Sequence, residues 1–114
     1  MATLTRQTIT LDGLQVVWTA ADVAGDTFSN LDERSLLRVR HTGTPGTLVD
    51  VLVAGTNACS FGEVHDAQVE IDGGEEISLG PFDRPRFNDS QGFVSVSYSD
   101  ATDIEVAVLV LPDA

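Results

Sequence analysis

The sequence predicts an all-β single domain: an antiparallel β-sandwich of about eight strands with jelly-roll or Greek-key connections. Three observations predict it. Short period-2 alternations recur along the chain, separated by Gly, Asn, Asp and Pro. The run Ile104 to Leu111 is apolar on both faces and suits a strand covered on both sides. No segment carries a helical apolar period of convincing length. At 114 residues, positions 1–114 form one domain, large enough to fold on a single core.

In chain order, residues 1–7 read as an extended N-terminal arm, able to add a strand to a neighbour. Thr8 to Leu11 and Leu14 to Trp18 flank Asp12-Gly13, a pair that favours a type I′ hairpin. Thr19 to Val23 suits one short turn, and 19–34 reads as irregular. Leu36 to His41 sets Leu37, Val39 and His41 on one face and Leu36, Arg38 and Arg40 on the other. Thr47 to Val53 follows the turn Thr42-Gly43-Thr44-Pro45-Gly46 and aligns Val49, Val51 and Val53. Asn57 to Gly62 reads as a loop. Gln68 to Asp72 alternates up to Gly73-Gly74, and Glu76 to Leu79 resumes directly, so this pair predicts a second hairpin. Residues 81–91 form a second long loop. Val94, Val96 and Tyr98 alternate with serines as a half-buried strand, and a turn over 99–103 joins it to the strand at 104–111.

The charge balance is lopsided. Eighteen acids, 12 of them Asp, face six arginines and no lysine, for a formal net charge of −12. Nucleic-acid binding needs a basic footprint, so that class is excluded. Acid-rich, lysine-free surfaces fit a halophilic host, where salt screens self-repulsion. A GC-rich genome fits the missing lysine equally well. The single cysteine, Cys59, leaves no internal disulfide. Met1 to Gln7 lacks the apolar core of a signal peptide, and no apolar run approaches the roughly 20 residues of a membrane span. The expectation is a chain made in the cytoplasm, with no membrane partner.

Chemistry-bearing residues are sparse. His41, Cys59 and His65, with Asp66 beside His65, are the soft-metal candidates, but no two of them have a zinc-site spacing. His41 falls on an apolar face and reads as a hydrogen-bonded core or interface histidine. The acids at Asp22/Asp26/Asp32/Glu33, Asp72/Glu75/Glu76 and Asp100/Asp103 match no calcium loop and read as solvated surface. No metal or cofactor is expected. Ser60 lies near His65 without a nucleophile elbow, so the chain reads as no enzyme. Trp18 and Tyr98 fall on the core faces of their strands. That leaves Phe28, Phe61, Phe82, Phe87 and Phe93, which are poor sugar platforms for want of a polar handle. Arg38 with Arg40, and Arg84 with Arg86 before Phe87, either offset nearby acids or form Arg–carboxylate pairs between copies. Outward-facing Leu36, Leu109 and Leu111 suit a subunit interface.

Several of these segments carry a resemblance. They are Leu4 to Leu14, Gly25 to Asn30, Gly80-Pro81-Phe82, Phe87-Asn88-Asp89 and the strand Val94 to Ser99. Together they resemble small β-sandwich structural proteins of tailed viruses, the head decoration or cement proteins. The pattern departs at Leu31-Asp32-Glu33, where Asp-Gly is expected, and at Asp83-Arg84, where Pro is expected. The resemblance implies a non-enzymatic virion protein on the capsid exterior, bound to the major capsid protein as a trimer or other symmetric oligomer. Arg6, Leu36, Arg38, Arg40, Arg84, Arg86, Phe87, Leu109 and Leu111 are then the interface candidates. Two alternatives stay open: a connector or tail component present in few copies, and a cellular carbohydrate-binding or adhesion module.

Overall fold

Alternation gives each strand one apolar face, and two such faces close on each other as a sandwich. The computed structural model describes residues 2–56 and 66–111. In chain order its elements are β1 (Ala2–Thr3), β2 (Arg6–Thr8), β3 (Thr19–Ala20), β4 (Asp26–Ser29), β5 (Ser35–His41), β6 (Val49–Val53), β7 (Ala67–Ile71), β8 (Glu76–Leu79), the helix α1 (Arg84–Phe87), β9 (Phe93–Tyr98) and β10 (Ile104–Val110). One sheet runs β1-β4-β9-β6-β7. The other runs β2-β10-β5-β8, with β3 also paired to β10.

From β3 onward the strands distribute as β3-β10-β5-β8 and β4-β9-β6-β7, all antiparallel. That is the strand order of an eight-stranded jelly roll. The two N-terminal strands are additions, and both pair in parallel: β1 with β4, β2 with β10. The predicted all-β sandwich therefore stands, with ten strands and two mixed sheets in place of about eight strands and purely antiparallel ones.

The core lies between the sheets. Phe28, Leu37, Val39, Val49, Val51, Val53, Ile71, Val94, Val96, Ile104, Val106 and Val108 are all buried there. The predicted face of β5 is the one observed, with Leu37, Val39 and His41 inward. One end of the sandwich is closed by three phenylalanines. Phe82 lies 5.7 Å from Phe28 and 5.4 Å edge-on from Phe87, within the range where tilted rings attract. Phe87, expected at an interface, is thus 5% exposed and part of the core. Its segment, expected to be irregular, forms α1 with Pro85 in the first turn, where a missing N–H costs nothing.

Several connections differ from the sequence reading. The Gly73-Gly74 turn is a crossover between sheets: β7 pairs with β6, and β8 with β5. Val69, Ile71, Ile77 and Leu79 must all reach one core, and a hairpin in a single sheet would leave the facing sheet short of apolar cover. The turn is pinned to the end of β5, since Gly74 N–H donates to the His41 carbonyl at 2.8 Å and His41 N–H to Glu75 at 2.9 Å. A Cβ on Gly73 would collide with the Thr44 carbonyl, so no side chain fits there. The 99–103 turn likewise passes from one sheet to the other. Asp12-Gly13 does turn, but no hairpin ladder forms around it. The segment from 19 onward, expected to be irregular, supplies β3 and β4.

The N-terminal segment is docked within the chain and not held out as an arm. Leu4, 6% exposed, enters the core, with β1 on one sheet and β2 on the other. It staples the two sheets across an open edge. Replacing Leu4 by Ala is expected to cost about 2–4 kcal/mol in denaturant unfolding. A loss within experimental error would show that the staple is dispensable.

Candidate interface surface

The loop end of the sandwich gathers 30–34 and 80–92. Asn30 is fully buried; its Nδ2 donates to the Phe82 carbonyl at 2.8 Å and to Asn88 Oδ1 at 2.9 Å. Asn88 Nδ2 returns a bond to the Asn30 carbonyl at 2.9 Å. Thr56 adds its hydroxyl to the Asn88 carbonyl at 2.7 Å and its N–H to that of Arg86 at 2.7 Å. These bonds tie the loop segments to one another.

On this fixed frame the end displays charge. Arg6 Nη2 sits 2.7 Å from both carboxylate oxygens of Asp32. That bond, helped by the Arg34 N–H, holds the Asp32 carboxyl below its ordinary value. Asp83 makes no side-chain cap for α1. Glu33 does that work from another loop, accepting from Arg84 Nε at 3.0 Å and from the Arg84 N–H at 3.3 Å. Glu33 does so at φ 58, in the left-handed region. Arg86 lies over the Phe87 ring at 4.7 Å, and Leu31 is 61% exposed beside Glu33.

The second surface is the outer face of the β10 sheet. Arg38 pairs with Glu76 there, and Arg40 Nε with Glu105 at 2.8 Å. Trp18, expected in the core, lies on this outer face instead. Its ring is 4.3 Å from the Arg40 guanidinium and 5.8 Å from that of Arg38, a cation–π stack. It gets there because Gln7 replaces a ladder pair with its side chain. The Gln7 amide donates to the Val17 carbonyl and accepts from the Val17 N–H, both at 2.8 Å. The 14–18 segment therefore crosses the sheet, with Leu14, Val16 and Trp18 half-buried. Beneath it Ala107 and Leu109 are 3% and 5% exposed. Leu109 is therefore covered by its own chain, not offered to a partner. Leu36, beside it in register, is half-buried, and Leu111 is 37% exposed.

Arg6, Arg38, Arg40 and Arg84 thus pair with acids of the same chain. For Arg38, Arg40 and Arg84 this is the arrangement that the local reading of the arginines expects. Such exposed pairs contribute little stability each, and their effect is to lower the net repulsion at two surfaces.

The opposite end is acidic, and its carboxylates build turns. Asp72 accepts the N–H groups of Gly46 and Gly73, Glu75 that of Asp72, and Asp100 that of Thr102. The Thr102 bonds keep Asp100 below the ordinary carboxylate range. Among the described residues no three of His, Cys, Asp and Glu converge as metal ligands. His41 is buried as expected, its Nδ1 accepting the Gly43 N–H at 3.0 Å. Cys59, Ser60, Phe61 and His65 lie outside the described residues. The buried Asp26 takes the Tyr98 hydroxyl at 2.7 Å. Burial first, then that bond and the negative charge of Asp26 and Asp22, push the Tyr98 phenol far above its ordinary value near 10.

Among the described residues no helix is long and apolar enough to cross a membrane. No protein-family model, curated protein or solved structure matches the chain.

Tyr98 is the only tyrosine, so it allows a clean pH test. A phenol with a raised folded pKa stabilises fully below the unfolded value near 10 and loses that contribution as the pH climbs past it. Unfolding free energy is expected to fall above about pH 10, and Tyr98→Phe to flatten that fall while costing about 1–3 kcal/mol at neutral pH. An alkaline limb identical in the variant would refute the assignment.

Proposed function

We propose that the chain is a non-enzymatic virion structural protein, a decoration protein on the capsid exterior of a tailed virus. It binds the major capsid protein through the loop end. The observation that carries the reading is that loop end itself: long loops locked by Asn30, Asn88 and the Phe82–Phe87 plug, displaying Leu31, Arg84 and Arg86 outward. A clamp needs contact residues that do not give way under load, and these loops are held by buried hydrogen bonds and rings. The jelly roll supports the reading by analogy, since viral shells use it. The capsid location itself comes from the sequence resemblance.

The saccharide-module reading is favoured by one observation. Trp18 is outside the core, on a sheet face flanked by Arg38, Arg40, Glu76 and Glu105. Lectin domains also use the jelly roll. In that case sugars would raise the thermal midpoint and quench Trp18 fluorescence.

Quantitative mass spectrometry of gradient-purified virus particles tests the first reading. A copy number near that of the major capsid protein, or a simple fraction of it, is the expected result. A handful of copies per particle would move the chain to the connector or tail. Absence from particles would overturn the virion reading and transfer weight to glycan screening.

A further inference from the structure

The first 20 residues differ from the rest of the chain in charge. Arg6 and Asp12 are their only charged side chains, so the net −12 resides wholly on residues 21–114. In the fold this segment supplies β2, β3 and the crossing loop along one edge of the second sheet. Arg6 pairs with Asp32 and Arg40, beside the segment, with Glu105, so Asp12 is the one charge of the segment outside these pairs. For two copies of so acidic a chain, this edge is where repulsion is least. Depletion of charge is also what marks the centre of an interface.

The same edge carries a knob and a recess. Leu11 is fully exposed at 107%, at the tip of a turn fixed by the Gly13 N–H to the Thr10 carbonyl and the Thr10 hydroxyl to the Gly13 carbonyl, both at 3.0 Å. Gly13 completes the turn at φ 94, which glycine adopts freely. The recess, about 320 Å³, opens where β2 and β3 meet along β10, lined by Leu4, Thr5, Gln7, Val17, Thr19 and the 106–108 stretch of β10, whose Val106 and Val108 side chains are themselves buried. Val17 on its wall is 68% exposed. A two-fold contact uses the same surface on both partners, so a leucine knob and a recess supplied by the same N-terminal segment can serve each other.

We propose that this edge is an interface between two copies of the chain, with Leu11 of each seated in the recess of the other. The proposal does not depend on the virion reading and holds for a cellular protein equally.

Sedimentation equilibrium over a concentration series tests it. The wild type is expected at twice the chain mass. Leu11→Asp and, separately, Val17→Asp are expected to weaken association about tenfold or more while leaving the far-ultraviolet circular dichroism unchanged. Both side chains are exposed, so neither variant is expected to unfold. A wild type at monomer mass throughout, or a dimer undisturbed by both variants, would overturn the proposal. A mass of three copies would replace the two-fold contact with a head-to-tail one and overturn it as well. A monomer that binds an apolar dye, and loses that binding in Val17→Asp, would give the recess to a small ligand instead.

Discussion

Strand β10 needs cover on two sides. Ile104, Val106 and Val108 point into the sandwich, while Ala107 and Leu109 point away from it and are apolar too. Sheet pairing with β5 and β2 satisfies the backbone of the strand but does nothing for that outer row. Something must lie across the outer face, and the chain uses its own 14–18 segment. Holding that segment there cannot be done with a ladder, because it has left the plane of the sheet. The Gln7 amide reproduces the donor–acceptor pair of a strand at one residue's remove. Trp18 is then carried onto Arg40, and the long side chains of the outer face become the floor of a layer. The apolar row of β10, the crossing loop and the exposed tip at Leu11 are consequences of one another.

The two ends of the sandwich are rigid for different reasons. At the loop end, rings and buried amides carry the load: Phe82 and Phe87 close the core while Asn30 and Asn88 bind the loops to each other. At the acidic end, carboxylates accept backbone N–H groups and so shape tight turns. Much of the acid content of those turns is thereby employed in local structure. The arginines act differently, since all six bridge segments distant in sequence, four of them to carboxylates and Arg34 and Arg86 to the Leu111 and Asp66 carbonyls. The result is a scaffold that holds its surface in place.

A jelly roll by itself names no activity, since shells and sugar-binding domains share it. What differs between those uses is which surface carries the energy. In this chain the loop end offers Leu31, Arg84 and Arg86 on a fixed frame. The outer sheet face offers Trp18 among paired charges, and the N-terminal edge offers a leucine knob and a recess on the segment that carries least charge. These surfaces do not coincide, so one copy has room for a partner at one end and a second copy along its edge.

The amino-acid sequence by itself determined the fold class and most strand interiors. Alternation at Leu36–His41, Val49–Val53 and Val94–Tyr98 depends only on which residues repel water, and the structure keeps those faces. His41 was legible as buried for the same reason. Partner choice was not legible, because alternation says which face is apolar but not which strand lies beside it. Asp12-Gly13 and Gly73-Gly74 both turn the chain, yet neither makes a hairpin, since filling two facing sheets outweighs local turn preference. Leu109 and Phe87 looked available for a partner, and Trp18 looked buried. Only the tertiary structure decides such cases, because the segments that cover Leu109, that Phe87 plugs and that lift Trp18 clear of the core come from far along the chain. A period-2 pattern carries no signal of which distant loop crosses the second face of a strand.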